Sequence, residues 1–391
     1  MRISSSGCSF LIEFDLLGHI LNFSGNGELD PANLFEEDLL IRLFVSESFR
    51  SALKHLDCVA AFCTMGNSTP ECAPGEDVNS SYNPPVIIVT FILGIATNTV
   101  ALWIFCAHVK SRKPSIVYSL NLMIADTLLL CCLPFRADYF LRQKDWNFGD
   151  GLCRVNVFMI SLNRIGSVFF LMVIAIDRYF KVVHPLHKVN KITTRCAVMI
   201  AGGLWIVAAA ICLHLLIDKH DFEQHNVRNC EPFSINKALT PRAVWTDFIF
   251  IFFQFLLPVS VILFSTSSIV WKLRQMETGM RAKYKRTVKL VIVVAAVFVI
   301  CFFPTSVVVV AVLVTKLRSP VDCKLYHTAV NIFYNTLFIT YLNSVVDPIV
   351  YYFSTSQFKD GLEKALLRLN FSCGRSATEP GASREEQTVD Q

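Results

Sequence analysis

The apolar positions of this chain fall into long blocks separated by short polar loops. Seven blocks stand out: Pro85–His108, Val117–Phe135, Val155–Ile176, Ala197–Ile217, Phe248–Trp271, Val291–Val314 and Thr328–Phe353. Each is about 20 residues or more, enough to cross ~30 Å of hydrocarbon at ~1.5 Å per residue. In lipid every backbone polar group needs an internal partner, so the blocks predict helices. The fold class expected is an all-α membrane protein, a seven-transmembrane helix bundle over residues 85–353.

A different pattern follows the seventh block. Phe358, Leu362, Leu366 and Leu369 share one helical face, with Lys359, Asp360, Lys364 and Arg368 elsewhere. This predicts a short amphipathic helix within 354–373, lying at the membrane interface. Residues 374–391 are polar and are expected to be disordered.

Composition agrees with the block pattern. The chain is 53% hydrophobic and only 17% charged, less charge than a soluble domain of 391 residues carries. Basic residues gather in the loops after the first, third and fifth spans, among them Lys110, Arg112, Lys113, Lys188, Lys191, Arg195, Lys272, Arg274 and Arg281. The opposite loops carry Asp145, Asp150, Asp221 and Glu223. The excess of Lys and Arg marks the cytoplasmic side, so the N-terminus is expected outside and the C-terminus inside. These loops account for the net charge of +5 without a nucleic-acid partner.

Residues 1–84 form the expected extracellular segment. The apolar stretch near Phe10 is broken by Glu13 and Asp15, which argues against a signal peptide. Residues 1–64 are unpatterned, and Met65 is a second candidate start. Glycosylation sequons follow it at Asn67 and Asn79. Of 14 cysteines, Cys106, Cys131, Cys132, Cys212 and Cys301 lie within spans and read as small apolar packers. Cys153, Cys230 and Cys323 fall on the outer side, where disulfides persist, and so do Cys8, Cys58, Cys63 and Cys72.

One charge interrupts the third block. Arg164 lies 11 residues past Cys153, about 16 Å deep at helical rise. A guanidinium at such depth is costly and marks a partner or a function. Its planar fork matches a carboxylate. Two readings stand: a ligand carboxylate, or an internal ion pair with Asp126, Asp347, Asp138 or Asp247. Arg136, at the top of the second span, adds charge to the entrance, snorkels, or pairs with Asp138 or Asp247. Phe333 and Tyr341 are eight residues apart and share a helical face.

Ordered motifs across the spans resemble the rhodopsin-like G-protein-coupled receptors. They are Asn98, Asp126, Asp177-Arg178-Tyr179, Trp205, Pro258, Cys301-Phe302-Phe303-Pro304 and Asn343-Ser344-Val345-Val346-Asp347-Pro348-Ile349-Val350-Tyr351. The likeness covers about Pro85 to Cys373. Trp146-Asn147-Phe148-Gly149-Asp150, Ser161 to Ser167 through Arg164, Arg178 to Pro185, and Thr340 to Ser344 narrow it. These resemble the group of hydroxycarboxylic acid and oxoeicosanoid receptors.

The resemblance implies a plasma-membrane receptor for an organic carboxylic acid that lowers cyclic AMP through an inhibitory G protein, with arrestin as a further candidate partner. It implies a pocket of Arg164, Arg136, Phe333 and Tyr341. Val309 stands where some of these receptors carry a second arginine, so the upper pocket is more apolar. This leaves room for an oxidised fatty acid beside a small hydroxy acid.

The resemblance also implies an allosteric sodium ion near Asp126, held with Asn98, Ser167, Asn343 and Asp347; a hydrated network without an ion is the alternative. It implies a G-protein switch at Asp177, Arg178, Tyr179 and Tyr351 and a Cys153–Cys230 disulfide; Cys373, which follows the amphipathic helix, is a candidate for palmitoylation. Cys323 is expected to bond an N-terminal cysteine, with Cys72 the first candidate and Cys63 and Cys58 after it. Phe302 replaces the tryptophan common in such receptors.

Two rivals are weighed. A transporter is disfavoured because the spans show no internal repeat. A constitutively signalling receptor with a structural Arg164 is the other. No nucleophile or metal constellation suggests an enzyme.

Overall fold

In the computed structural model, residues 83–109, 113–224, 227–231, 246, 248–317 and 323–364 are described. Among them six helices are long and apolar enough to cross a bilayer. Five are α1 (Asn83–Ala107), α2 (Pro114–Leu141), α3 (Gly149–Val183), α4 (Thr194–Cys212) and α5 (Phe248–Arg274). The sixth, α6, runs Thr278–Val297, widens at Phe298–Phe302, and continues Phe303–Leu317.

The seventh span departs from the expectation of one helix over Thr328–Phe353. Its helix, α7, is Cys323–Tyr341 followed by Asn343–Ser354, interrupted at Leu342. After Thr355 the chain starts a further helix, α8, described over 356–364. Its Phe358 is buried beside Phe105 and Tyr351, so α8 is held to the bundle.

Prolines explain the irregular turns. A proline has no N–H to offer the carbonyl four residues back. Pro258 therefore frees the Gln254 carbonyl, and α5 opens to π geometry at Phe252–Leu256. Pro304 frees Ile300, inside the widened turn of α6. Pro348 frees Ser344, whose carbonyl instead accepts from Asn98 Nδ2 at 2.8 Å, tying α1 to α7.

The core follows the sequence blocks. One lobe gathers Leu122, Ile174, Phe298, Phe302, Val350 and Tyr351; the other gathers Leu133, Trp146, Ile165, Val309, Phe333 and Tyr341. Outward faces are apolar too: Val198, Met199 and Ile206 of α4 are exposed, as a lipid-facing helix requires. Gly166 lets α3 and α4 approach closely, since a β-carbon there would meet the Trp205 ring at 3.2 Å. Trp205 Nε1 also donates to Asn121 Oδ1 (2.9 Å) on α2.

The loop between α4 and α5 adds a small element to the helical fold. Strands β1 (Asp221–Gln224) and β2 (Val227–Cys230) pair antiparallel, with Asp221 opposite Cys230. The hairpin is fixed to the start of α3 by the Cys153–Cys230 disulfide and to the α2–α3 turn by Trp146 N–H donating to the Arg228 carbonyl (2.7 Å). Gly149, at φ +79°, makes the tight entry into α3 in a conformation that favours glycine.

Candidate functional site

Arg164 points into the bundle and is 4% exposed. Among the described residues no carboxylate pairs with it. Each sequence-level alternative among them is engaged elsewhere. Asp138 pairs with Arg142 (2.8 Å), Asp126 accepts from Tyr351 (3.0 Å) and Asp347 accepts from Asn343 (2.8 Å). Asp247 lies outside the described residues.

What meets the guanidinium is neutral. The Gln254 amide, with its oxygen turned toward α3, lies against the Arg164 guanidinium, nearest Nε and one terminal nitrogen. Gln254 is 2% exposed and sits in the π-type turn of α5. Sequence reasoning did not single it out; the available signal was an amide in an apolar block, four residues before Pro258. The Tyr341 phenol is within electrostatic reach of both Arg164 and Arg136.

Arg136 is buried rather than snorkelling. One terminal nitrogen donates to the Cys230 carbonyl (3.0 Å), and the guanidinium lies 5.6 Å from the Tyr139 ring centre. Its Nε has no partner among the described residues. Phe333 packs edge-on to Tyr334 at 5.4 Å, and Val309 joins Phe333 and Tyr341 in the same buried cluster. The five expected pocket residues thus share one end of the bundle, beneath the hairpin. A separate apolar crevice, lined by Val293, Val297, Cys301 and Val346, opens between α6 and α7. Arg164 does not line it.

A second polar cluster lies farther along α3. Asp126 and Asp347 are within hydrogen-bonding reach of each other. Ser167 accepts from Asn163 Nδ2 (3.4 Å), which also donates to the Ala125 carbonyl (2.9 Å). Four oxygens here, Asn98 Oδ1, Asp126 Oδ1, Asn343 Oδ1 and Asp347 Oδ1, are buried without a hydrogen-bond partner. That set fits a hard cation, which takes carboxylate and amide oxygens. Tyr351, expected to belong to the G-protein switch, donates to Asp126 and so belongs to this cluster.

At the opposite end of α3, Arg178 Nε lies 3.2 Å from Asp177 Oδ2, which also binds Lys181 at 2.7 Å. Tyr179 shares a hydrogen bond with His184 (3.1 Å). Arg286, on α6, donates to the Phe353 and Tyr352 carbonyls at 3.1 and 2.8 Å. These terminal carbonyls of α7 lack intrahelical partners, so the contact caps one helix with a side chain of another.

Cys323 is disulfide-bonded. Its expected partner Cys72, the sequons at Asn67 and Asn79, and Cys373 lie outside the described residues, as do 1–64 and 374–391.

The profile of the seven-transmembrane receptors of the rhodopsin family matches residues 97–351, and the chain belongs to that family of receptors. It is 42% identical over 288 residues to hydroxycarboxylic acid receptor 2 of Homo sapiens, spanning 73% of this chain and 78% of the relative. Hydroxycarboxylic acid receptor 1 of Homo sapiens is 41% identical over 317 residues, spanning 81% and 88%. Oxoeicosanoid receptor 1 of Homo sapiens is 34% identical over 301 residues, 76% of each chain. Within the rhodopsin family, the chain therefore falls in the group of hydroxycarboxylic acid and oxoeicosanoid receptors.

Proposed function

We propose that the chain is a plasma-membrane receptor for an organic carboxylic acid, with its N-terminus outside, that lowers cyclic AMP through an inhibitory G protein. The observation that carries the ligand reading is Arg164: a buried guanidinium with a neutral amide for a partner and a phenol nearby. A carboxylate gives that fork a charge-assisted, two-point partner that the amide cannot match. Tyr341 can donate to the same carboxylate. Arg136 lends positive potential above, and Val309 with Phe333 offers apolar surface to the rest of the ligand.

The four unpartnered oxygens around Asp126 and Asp347 are the residues that would hold a sodium ion. The cation would supply counter-charge to two adjacent carboxylates, which otherwise repel. At the other end, Arg178 held by Asp177 is the group that a G protein would engage once α6 moves away. The basic loops, read as cytoplasmic, frame that surface and meet anionic lipid headgroups.

The deciding experiment replaces Arg164 with alanine. Surface expression should stay near that of the parent. The acid-induced fall in cyclic AMP should disappear or shift by at least about a hundredfold, the size of a lost charged bidentate contact. An esterified ligand should fail on the parent receptor for the same reason. Full potency in the alanine variant would overturn the ligand reading and leave Arg164 as a structural residue.

A further inference from the structure

We infer that Gln254 is a built-in occupant of the acid-binding position: its amide oxygen holds Arg164 while no acid is present, and the ligand carboxylate displaces it. This rests on the carboxylate reading of Arg164 and specifies how that site is regulated.

Three observations lead here. First, with its oxygen turned toward α3, the Gln254 amide lies against the Arg164 guanidinium, nearest Nε and one terminal nitrogen, so it crowds the space where a carboxylate would approach. Both residues are buried, so neither has bulk water as an alternative partner. Second, Gln254 sits within the π-type turn at Phe252–Leu256, immediately ahead of Pro258. A π-type turn inserts an extra residue and turns the side chains within it relative to a regular helix; such turns often mark functional sites. The proline prevents the regular α-helical bond to the Gln254 carbonyl, so the deviation is written into the sequence. Third, the contact joins α3 to α5, while Tyr341 of α7 is also within reach of Arg164. Exchange of amide for carboxylate therefore removes one buried polar tie between α3 and α5 without stripping Arg164 of a partner.

The choice of amide over acid follows from the same chemistry. An unoccupied buried guanidinium would be costly, and a resident carboxylate would bind too well to be displaced. A neutral acceptor satisfies the arginine in the resting receptor and still yields to a charged ligand.

The test uses the full-length receptor in cells, with lactate, 3-hydroxybutyrate and an oxidised arachidonate as probes and cyclic AMP as readout. Gln254→Leu removes the internal competitor, and potency of the active probe should rise on the order of tenfold. Gln254→Glu tethers a carboxylate at the site, and potency should fall on the order of a hundredfold with surface expression retained. A ligand-free arm measures thermal unfolding of the purified receptor. Gln254→Leu should lower the midpoint and Gln254→Glu should raise it, and both shifts should vanish in an Arg164→Met background. Shifts that persist in that background overturn the contact. Loss of response in Arg164→Ala together with unchanged potency in both Gln254 variants overturns the exchange alone. A response that survives Arg164→Ala overturns the carboxylate reading and the exchange with it.

Discussion

Among single residues, Val309 is the one that, on the carboxylate reading of Arg164, would govern how much of an acid can be buried beyond its head group. It lies in the buried cluster with Phe333 and Tyr341, and the Arg164 guanidinium would fix the other end of the ligand. A chain laid along that wall gains about 0.8 kcal/mol per methylene, which a four-carbon hydroxy acid leaves unused. In Val309→Arg, dose–response curves should shift to weaker potency for oxidised long-chain acids and hold or sharpen for lactate and 3-hydroxybutyrate. A parent receptor that answers lactate and ignores every eicosanoid refutes this lean toward the larger acids. Asp126 supports a second expectation. Replacing sodium chloride by choline chloride at equal ionic strength should raise acid potency several-fold, because an ion held at the four orphan oxygens would stabilise the resting arrangement. Asp126→Asn should erase the difference; a salt effect that survives it would point elsewhere. Arg164 was legible in the sequence because charge stands out in an apolar block. Gln254 was not: an amide breaks no hydropathy pattern, and only the turn of α5 aims it at α3.

For the helices, hydropathy locates the lipid but not the joints. The seven blocks correspond to α1–α7, yet the widened turns of α5 and α6 arise from hydrogen bonds that prolines withhold, and α7 is interrupted at Leu342. Those prolines were visible in the sequence. Which side chain repairs each gap was not, since Asn98 and Ser344 are 246 residues apart. Arg286 illustrates the same logic at a helix end. It binds the last carbonyls of α7 from α6 and so restrains the α6 segment next to Arg178. Arg286→Met keeps much of the stem and removes the donors. Acid-free signalling, read as suppression of forskolin-raised cyclic AMP, should increase a few-fold relative to the parent at matched surface expression. An unchanged baseline would mean that the contact does not restrain α6.

Across the whole molecule, the hairpin, α2 and α3 form one rigid cap at the Arg136 end. The disulfide spans 77 residues, and chain-entropy arguments put such a closure at about 4–5 kcal/mol, an upper figure when membrane helices persist in the unfolded chain. Cys153→Ser should therefore lower the unfolding midpoint and surface expression. It should also weaken acid potency, because Cys230 supplies the carbonyl that positions Arg136. Normal potency at the surface would separate the cap from the site. The two ends of the receptor are connected by a plain mechanical arrangement. Arg164 and Arg178 both belong to α3, which runs 35 residues without a proline, whereas α5, α6 and α7 each forgo a rung of their ladder. The third helix is the uninterrupted element, and the proline-broken α5 and α6 both pack against it. Whatever binds at one arginine and whatever binds at the other would thus grip the same unbroken rod.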